Sequence, residues 1–206
     1  TSINYEAGVR FNENSFFAEM IGFYSDFDNK TENCSVANPC SNGDTSGSFT
    51  TGEAVIQGIE LTAGNRFQAG DFTIPVDLAY TYTKAEISED EGALGFEKGD
   101  RLADIPKNTF SLRAGLETPM GWNNYMVAKY TDRLCSNIGC DNGSRLGRTD
   151  SLFVVDLISR YSVNPDTVVY AKVDNVFDRD EIVSRLPDGA RPNKPRTASV
   201  GIEYAF

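Results

Sequence analysis

The chain closes on "SVGIEYAF", residues 199–206, and the reading of this stretch decides the fold. Val200, Ile202, Tyr204 and Phe206 fall on one side of an extended strand, with Ser199, Gly201, Glu203 and Ala205 on the other. Such a strand requires an apolar environment along one whole side, where the end of a water-soluble domain is ordinarily polar and frayed.

Eight stretches of similar character precede it, at 3–11, 16–27, 54–67, 71–87, 108–118, 122–134, 151–163 and 167–177, with the last spanning 196–206. They exceed the usual strand length of about 5–6 residues and are long enough to cross a bilayer at a tilt. In the fourth, Phe72, Ile74, Val76, Leu78, Tyr80 and Tyr82 share a side against Thr73, Pro75, Asp77, Ala79, Thr81 and Thr83. The first, third and fifth alternate as cleanly: Tyr5, Ala7, Val9 and Phe11; Ile59, Leu61 and Ala63; Phe110, Leu112, Ala114 and Leu116. Two do not. Phe17, Glu19, Ile21 and Phe23 share one phase, and Asp156 and Arg160 share theirs with Leu152, Val154 and Ile158, so the lipid face of these two strands stays open. A plug or loop packed inside a lumen would account for apolar residues there.

The connections are segregated. Those at 12–15, 68–70, 119–121 and 164–166 are tight turns, and those at 28–53, 88–107, 135–150 and 178–195 are long, in strict alternation. Short turns at one rim and long loops at the other are the pattern of an outer-membrane-type barrel whose apolar side faces lipid and whose polar side faces the lumen. A soluble β-sandwich also alternates, but its strands are shorter and nothing gathers its long loops at one end. The class is therefore all-β: an antiparallel transmembrane β-barrel segment of about nine long strands, with short periplasmic turns and long extracellular loops.

Composition is consistent with this. Mean hydropathy is −0.36, and no run approaches the roughly 18 apolar residues of a spanning helix. A formal net charge of −11 argues against nucleic acid. The four cysteines form two short-range pairs, Cys34 with Cys40 and Cys135 with Cys140, each in a Gly/Asn/Ser-rich stretch and without a histidine anywhere. Two loop-stapling disulfides in an oxidising compartment fit better than zinc. The chain begins "TSINYEAG" without Met or signal peptide, and is expected to be a processed or excerpted piece.

Taken in order, "NYEAGVRF", "FYSDFDN", "VIQGIELTAG", "KVDNVFDRD" and "DGARPNKPRTASVGIEYAF" resemble the C-terminal part of a TonB-dependent outer-membrane receptor of the ferric-siderophore and ferric-citrate branch. The resemblance covers essentially the whole chain. It implies the last strands of a barrel of about 22 strands with a plugged lumen, in the outer membrane of a Gram-negative bacterium, residues 1–206 forming the C-terminal part of that barrel. The family's plug domain and TonB-contacting motif are not in this segment. The implied function is active uptake of a ferric chelate, a ferric siderophore or ferric citrate, energised by the TonB complex through the absent N-terminal part; the chelate is transported cargo and no cofactor is implied. Uptake of a glycan or cobalamin, or a soluble β-rich adhesin or structural barrel, are the rivals. The resemblance also implies contact with outer-membrane lipid and lipopolysaccharide, and an assembly signal at Tyr204 and Phe206 read by the barrel-assembly machinery.

No catalytic constellation is present: histidine is absent and no G-x-S-x-G elbow occurs, so an enzyme is not expected. A ferric chelate with carboxylate ligands is anionic, and arginine's planar donor fork suits it. Arg101, Arg133, Arg145, Arg148, Arg185 and Arg191 lie in or beside the long loops and are the candidate ligand-binding residues. Each alone reads more simply as paired with a neighbouring Asp or a lipopolysaccharide phosphate. Phe27, Tyr82, Trp122, Tyr130 and Tyr161 are expected in interfacial belts. The acidic run at 86–100 lacks the calcium-loop pattern, and reads as a solvated mobile loop rather than a Ca²⁺ site at Glu89, Asp90 and Glu91.

Overall fold

A computed structural model describes residues 1–36, 43–90, 96–140, 147–185 and 189–206, with backbone alone at 29–33 and 49–51. The strands are β1 (Ser2–Glu13), β2 (Phe16–Cys34), β3 (Gly47–Ala69), β4 (Phe72–Ile87), β5 (Asn108–Leu116), β6 (Trp122–Thr131), β7 (Leu152–Asn164), β8 (Thr167–Asp174), β9 (Ile182–Ser184), β10 (Arg191–Pro192) and β11 (Thr197–Tyr204). β1 to β8 and β11 form one nine-stranded sheet in that order, every neighbouring pair antiparallel, while β9 and β10 make a separate two-stranded hairpin. Among the described strands, β1 pairs only with β2 and β11 only with β8, so the wall is an open segment of a barrel.

Two boundaries differ from the sequence expectation. The connection expected at 28–53 is largely strand, because the ladder between β2 and β3 continues to Cys34 opposite Gly47. Its Asn, Thr, Ser and Gly residues read as loop, yet the backbone stays paired across register shifts near Lys30, opposite Gly52 with φ 83°. The small β9–β10 hairpin inside the connection at 178–195 was also not anticipated.

Cross-strand register fixes which residues share a face. Val9 faces Met20, Met20 faces Leu61, Leu61 faces Tyr80, Tyr80 faces Phe110, Phe110 faces Tyr130 and Tyr130 faces Phe153, one unbroken apolar phase. It continues through Leu157 opposite Val173, and then through Ala171 opposite Val200 and Val169 opposite Ile202. Among the strands, every large hydrophobic that is exposed belongs to this phase except Phe17. Even on interior strands flanked on both sides, Met20 is 50% exposed and Ile59 48%, which a soluble sheet would not leave open but a lipid-wetted one does.

The two ambiguous strands are thereby resolved. β2 turns Ala18, Met20, Gly22 and Tyr24 to lipid and Phe17, Glu19, Ile21 and Phe23 to the lumen. β7 turns Phe153, Val155, Leu157, Ser159 and Tyr161 to lipid, leaving Asp156 and Arg160 on the lumen side with Leu152, Val154 and Ile158.

Inward aromatics fit because glycine lies across from them. Phe23 is paired with Gly58, Phe17 with Gly64, Tyr125 with Gly115 and Tyr170 with Gly201. A Cβ at Gly58 would strike the Tyr82 carbonyl and approach the Phe23 ring to 2.7 Å; one at Gly115 would reach Tyr125 at 2.6 Å. Between these rings runs a set of ion pairs: Arg10 with Glu19 at 2.7 Å, Arg113 with Asp77 at 3.2 Å, Arg160 with Glu203 at 2.6 Å, and Arg66 with Glu117, which also accepts the Tyr125 hydroxyl at 3.0 Å.

Towards the long-loop rim the inner face of β2–β4 is covered. Ala54, Ala85 and Ile87 pack with Phe96 and Leu102 of the β4–β5 connection and Ile138 of the β6–β7 connection, joined by Phe27, Ile56 and Ile105. Ile87 and Leu102 are each 1% exposed, and burial of such side chains contributes about 1.5–3 kcal/mol apiece. One expectation is corrected here. Phe27 packs inward rather than in an interfacial belt, since it pairs with the lumen-facing Ala54. The described part of the acidic run keeps Glu89, Asp90 and Glu97 exposed to solvent, as expected, while its backbone is tied to the wall: Lys98 N donates to Asp90 Oδ1 at 2.8 Å and Gly99 N to the Ile87 carbonyl at 3.0 Å. Glu91 lies outside the described residues.

Replacing Gly58 with Val in the whole protein is expected to cost about 1–3 kcal/mol or more through overpacking and to deplete the folded, heat-modifiable band in unheated gels. Gly22→Ala, whose added Cβ would meet nothing nearer than the Ala7 carbonyl oxygen at 3.8 Å, should leave that band unchanged.

Candidate functional site

Where the long connections meet β6–β8, one short sequence organises the surface. Asn175 directly follows β8 with a left-handed φ of 51°, a conformation Asn tolerates better than most residues, and is 3% exposed. Its backbone N donates to Asp156 Oδ1 at 2.9 Å, and its side-chain Nδ2 donates to the carbonyls of Arg179 at 2.8 Å and Lys194 at 3.0 Å. Its Oδ1 accepts the Arg179 amide at 2.9 Å. One buried amide thus holds both ends of the connection between β8 and β11 down on the wall, as buried polar groups require of their neighbours. Asn193 adds to this by accepting the Glu181 amide at 2.8 Å.

Next to this anchor is a polar cavity of about 790 Å³ lined by Arg133, Arg148 and Arg185 together with Tyr130, Asp132, Thr149, Asp150, Ser151 and Glu181. Its framework is hydrogen-bonded. Asp132 accepts Asn108 Nδ2 at 3.1 Å and the Arg133 amide at 2.9 Å; Asp150 accepts the Ile182 amide at 3.0 Å; Arg185 Nε donates to the Arg148 carbonyl. The guanidinium groups of Arg133 and Arg148 make no ion pair with any described residue.

Of the six candidate arginines, then, three converge. Arg101 is elsewhere: its backbone bridges Glu86 and accepts the Gly139 amide at 3.0 Å, tying it into the loop core. Arg191 sits on β10 opposite Ser184, exposed and away from the cavity lining. Arg145 lies outside the described residues. The expected staple between Cys135 and Cys140 is formed, with Cα atoms 5.4 Å apart and Cys135 fully buried beside the loop core. For the other expected pair, Cys40 lies outside the described residues.

Sequence reasoning missed a second cluster. Lys129, Lys172 and Lys194 line a cavity of about 290 Å³ with Asp156 and Asp174. In the sequence these residues looked like ordinary polar positions of alternating strands; only register and the Asn175 anchor bring them together. Of the expected belt aromatics, Tyr82, Trp122, Tyr130 and Tyr161 do lie in the lipid-facing phase, Trp122 opposite Tyr161 at the short-turn rim. Tyr204 and Phe206 stack with ring centroids 6.5 Å apart at the same rim.

With this geometry in place, comparison with known proteins is informative. A family model described as "TonB dependent receptor-like, beta-barrel" matches residues 1–176. The chain is 29% identical over 179 residues to a metal-pseudopaline receptor of Pseudomonas aeruginosa, covering 85% of this chain and 23% of that protein. Among solved structures, it resembles the ferric yersiniabactin uptake receptor FyuA of Yersinia pestis, with TM-score 0.74 and 19% identity over 100% of this chain and 30% of the other. The ferric-catecholate import receptor Fiu of E. coli K12 gives TM-score 0.72 and 20% identity over 100% and 27%. These two likenesses show the fold. The chain spans about a quarter of the length of the curated relative it matches.

Asn175→Ala should free the connection it anchors, at a cost of about 1–3 kcal/mol for the groups left unpaired. The check is limited trypsin digestion of the folded receptor: new cleavage is expected at Arg179 or Arg185 while the barrel band persists.

Proposed function

This chain belongs to the TonB-dependent receptor β-barrel family, whose members reside in the outer membrane of Gram-negative bacteria, and from that premise we propose that the receptor containing it takes up an anionic ferric chelate. The cargo is a ferric siderophore or ferric citrate, and the role of this segment is to supply barrel wall and part of the ligand-facing mouth. The observation that carries the reading is the convergence of Arg133, Arg148 and Arg185 on one cavity beside the long connections. Two of these cations have no ionic partner among the described residues, so a carboxylate-rich complex would gain charge-assisted hydrogen bonds there without displacing existing pairs. Energy from the TonB complex, barrel assembly through Tyr204 and Phe206, and contact with lipopolysaccharide at the rim belong to the same proposal. The activity is transport rather than catalysis.

A second reading is favoured by the relative named as a metal-pseudopaline receptor: the chelate carries a transition metal other than ferric iron. The charge logic at the arginines is the same in both.

The test is titration of the full-length receptor with ferric citrate, a panel of ferric siderophores and divalent-metal complexes of the same chelators, followed by uptake in cells with and without TonB. Tight binding and TonB-dependent uptake of at least one ferric complex are expected. Binding of divalent complexes alone would select the second reading. Arg133→Ala with Arg148→Ala should weaken binding at least tenfold, in line with about 1.5–3 kcal/mol per charged hydrogen bond, while the barrel stays folded; unchanged affinity removes the arginines from the site.

A further inference from the structure

The lipid-facing side of β5–β8 carries a hollow that the uptake of cargo leaves unassigned. In register, Leu116, Asn124, Ser159 and Ala171 form one row across these four strands, and Ala114, Met126, Leu157 and Val173 form the next row towards the long loops. Asn124, Ser159 and Ala171 are short, whereas Met126 and Leu157 stand out into lipid at 38% and 44% exposure. The step between the rows makes a cavity of about 520 Å³ lined by both. Each of the four strands is paired on both sides, so the hollow belongs to the wall and not to its open edges.

Its depth in the bilayer follows from the row nearer the short turns. There Trp122 faces Tyr161, a pair of aromatics of the kind that lies at headgroup level. A rise of about 3.3 Å per residue on strands tilted by about 40° sets Asn124 about 5 Å nearer the bilayer centre than Trp122. That is the level at which the ester carbonyls of a glycerophospholipid meet its acyl chains. Because the short turns are periplasmic, the leaflet concerned is the periplasmic one.

Hydrogen bonding singles out Asn124. The Trp122 indole has its acceptor within the wall, since Nε1 donates to Ser159 Oγ at 2.8 Å. Asn123 turns to the lumen side, where its Oδ1 accepts the Thr118 amide at 3.1 Å. The Asn124 carboxamide lies on the lipid side, lines the hollow, and bonds to no described residue. An amide without a partner is costly in hydrocarbon. A lipid ester carbonyl at this depth removes that cost.

We propose that the hollow binds one glycerophospholipid of the periplasmic leaflet: an acyl chain packs on Ser159 and Ala171 against the ridge of Met126 and Leu157, and Asn124 Nδ2 donates to the ester carbonyl at its head. An apolar concavity of about 300–1,000 Å³ with one placed polar group is the usual form of a small-molecule site. A single donor at one end of an apolar floor matches a ligand with a polar head and an apolar tail. The site lies on the lipid side of the wall and is independent of the cargo.

The experiment uses the full-length receptor purified in detergent, with gel mobility as the check of folding, and native mass spectrometry against added dipalmitoyl phosphatidylethanolamine. The native receptor is expected to retain a lipid at an activation that strips detergent. Ala171→Leu, which fills the hollow, and Asn124→Leu, which removes the amide, should each lower the lipid-bound population at least fivefold, while Leu78→Val elsewhere on the lipid face should leave it within twofold. The ether-linked analogue has no ester carbonyl and should bind the native receptor at least fivefold more weakly, yet should bind Asn124→Leu as well as the ester lipid does. A native receptor that retains no lipid, or undiminished retention by Ala171→Leu, overturns the site; equal retention of ester and ether lipids by the native receptor overturns the role of Asn124. A native dimer that Ala171→Leu dissociates overturns the lipid and assigns the hollow to a second copy of the receptor.

Discussion

Hydrocarbon on one side of this sheet is the constraint from which the rest of the structure follows. In lipid no water is available to backbone donors and acceptors, so the wall must be a continuous ladder. A slip of one residue at any of its junctions would also move a whole strand's apolar side into the lumen. The pairings show no such slip: Val9, Met20, Leu61, Tyr80, Phe110, Tyr130 and Phe153 follow one another across seven strands in a single phase. Local irregularities fall outside that band, near Lys30 towards the long-loop rim and between Ser162 and Asn164 at the opposite turn.

The inner face is freed from that demand and is built by different physics. Bulky rings lie over cross-strand glycines, which gives them contact area without raising the height of the wall, and ion pairs bridge neighbouring strands between them. Exposed pairs of this kind contribute little each. Their larger effect is on specificity, because Arg10 faces Glu19, and Asp77 faces Arg113, directly across the ladder in one register.

Much of this was legible in the sequence, and the reason is periodicity. β1, β3, β4, β5 and β11 alternate with a period of two, and the tight turns are marked by residues that accept left-handed φ, such as Asn14, Gly70 and Gly121. β2 and β7 resisted because their inward positions carry Phe17, Phe23 and Ile158, whose acceptance depends on glycines or neighbours on other strands that a one-strand reading does not see. Loop packing was illegible for a related reason: Phe96, Leu102 and Ile138 follow no period, and only the stapled β6–β7 connection and the ends of β3 and β4 make them a core. The candidate site was half legible. Arginines in loops announce themselves by chemistry, so Arg133, Arg148 and Arg185 could be named but not separated from Arg101 and Arg191. Lys129, Lys172 and Lys194 could not be named, since each sits where a polar residue was expected on other grounds.

The mouth of the wall is thus asymmetric, and the asymmetry has one cause. At β2–β4 the connections carry apolar residues that pack back onto the strands and close the inner surface, whereas at β6–β8 the returning connection is held by the amide of Asn175 instead of by apolar burial. A hydrogen-bonded anchor fixes the backbone of that connection while consuming no cationic side chain, and it sets Lys194 against Asp174 from a different chain segment than Lys172. An apolar anchor in the same place would have buried the surface on which the charged groups converge. The polar character of one short sequence, "DNVFD" at 174–178, is therefore what orders this side of the wall without covering its charged groups.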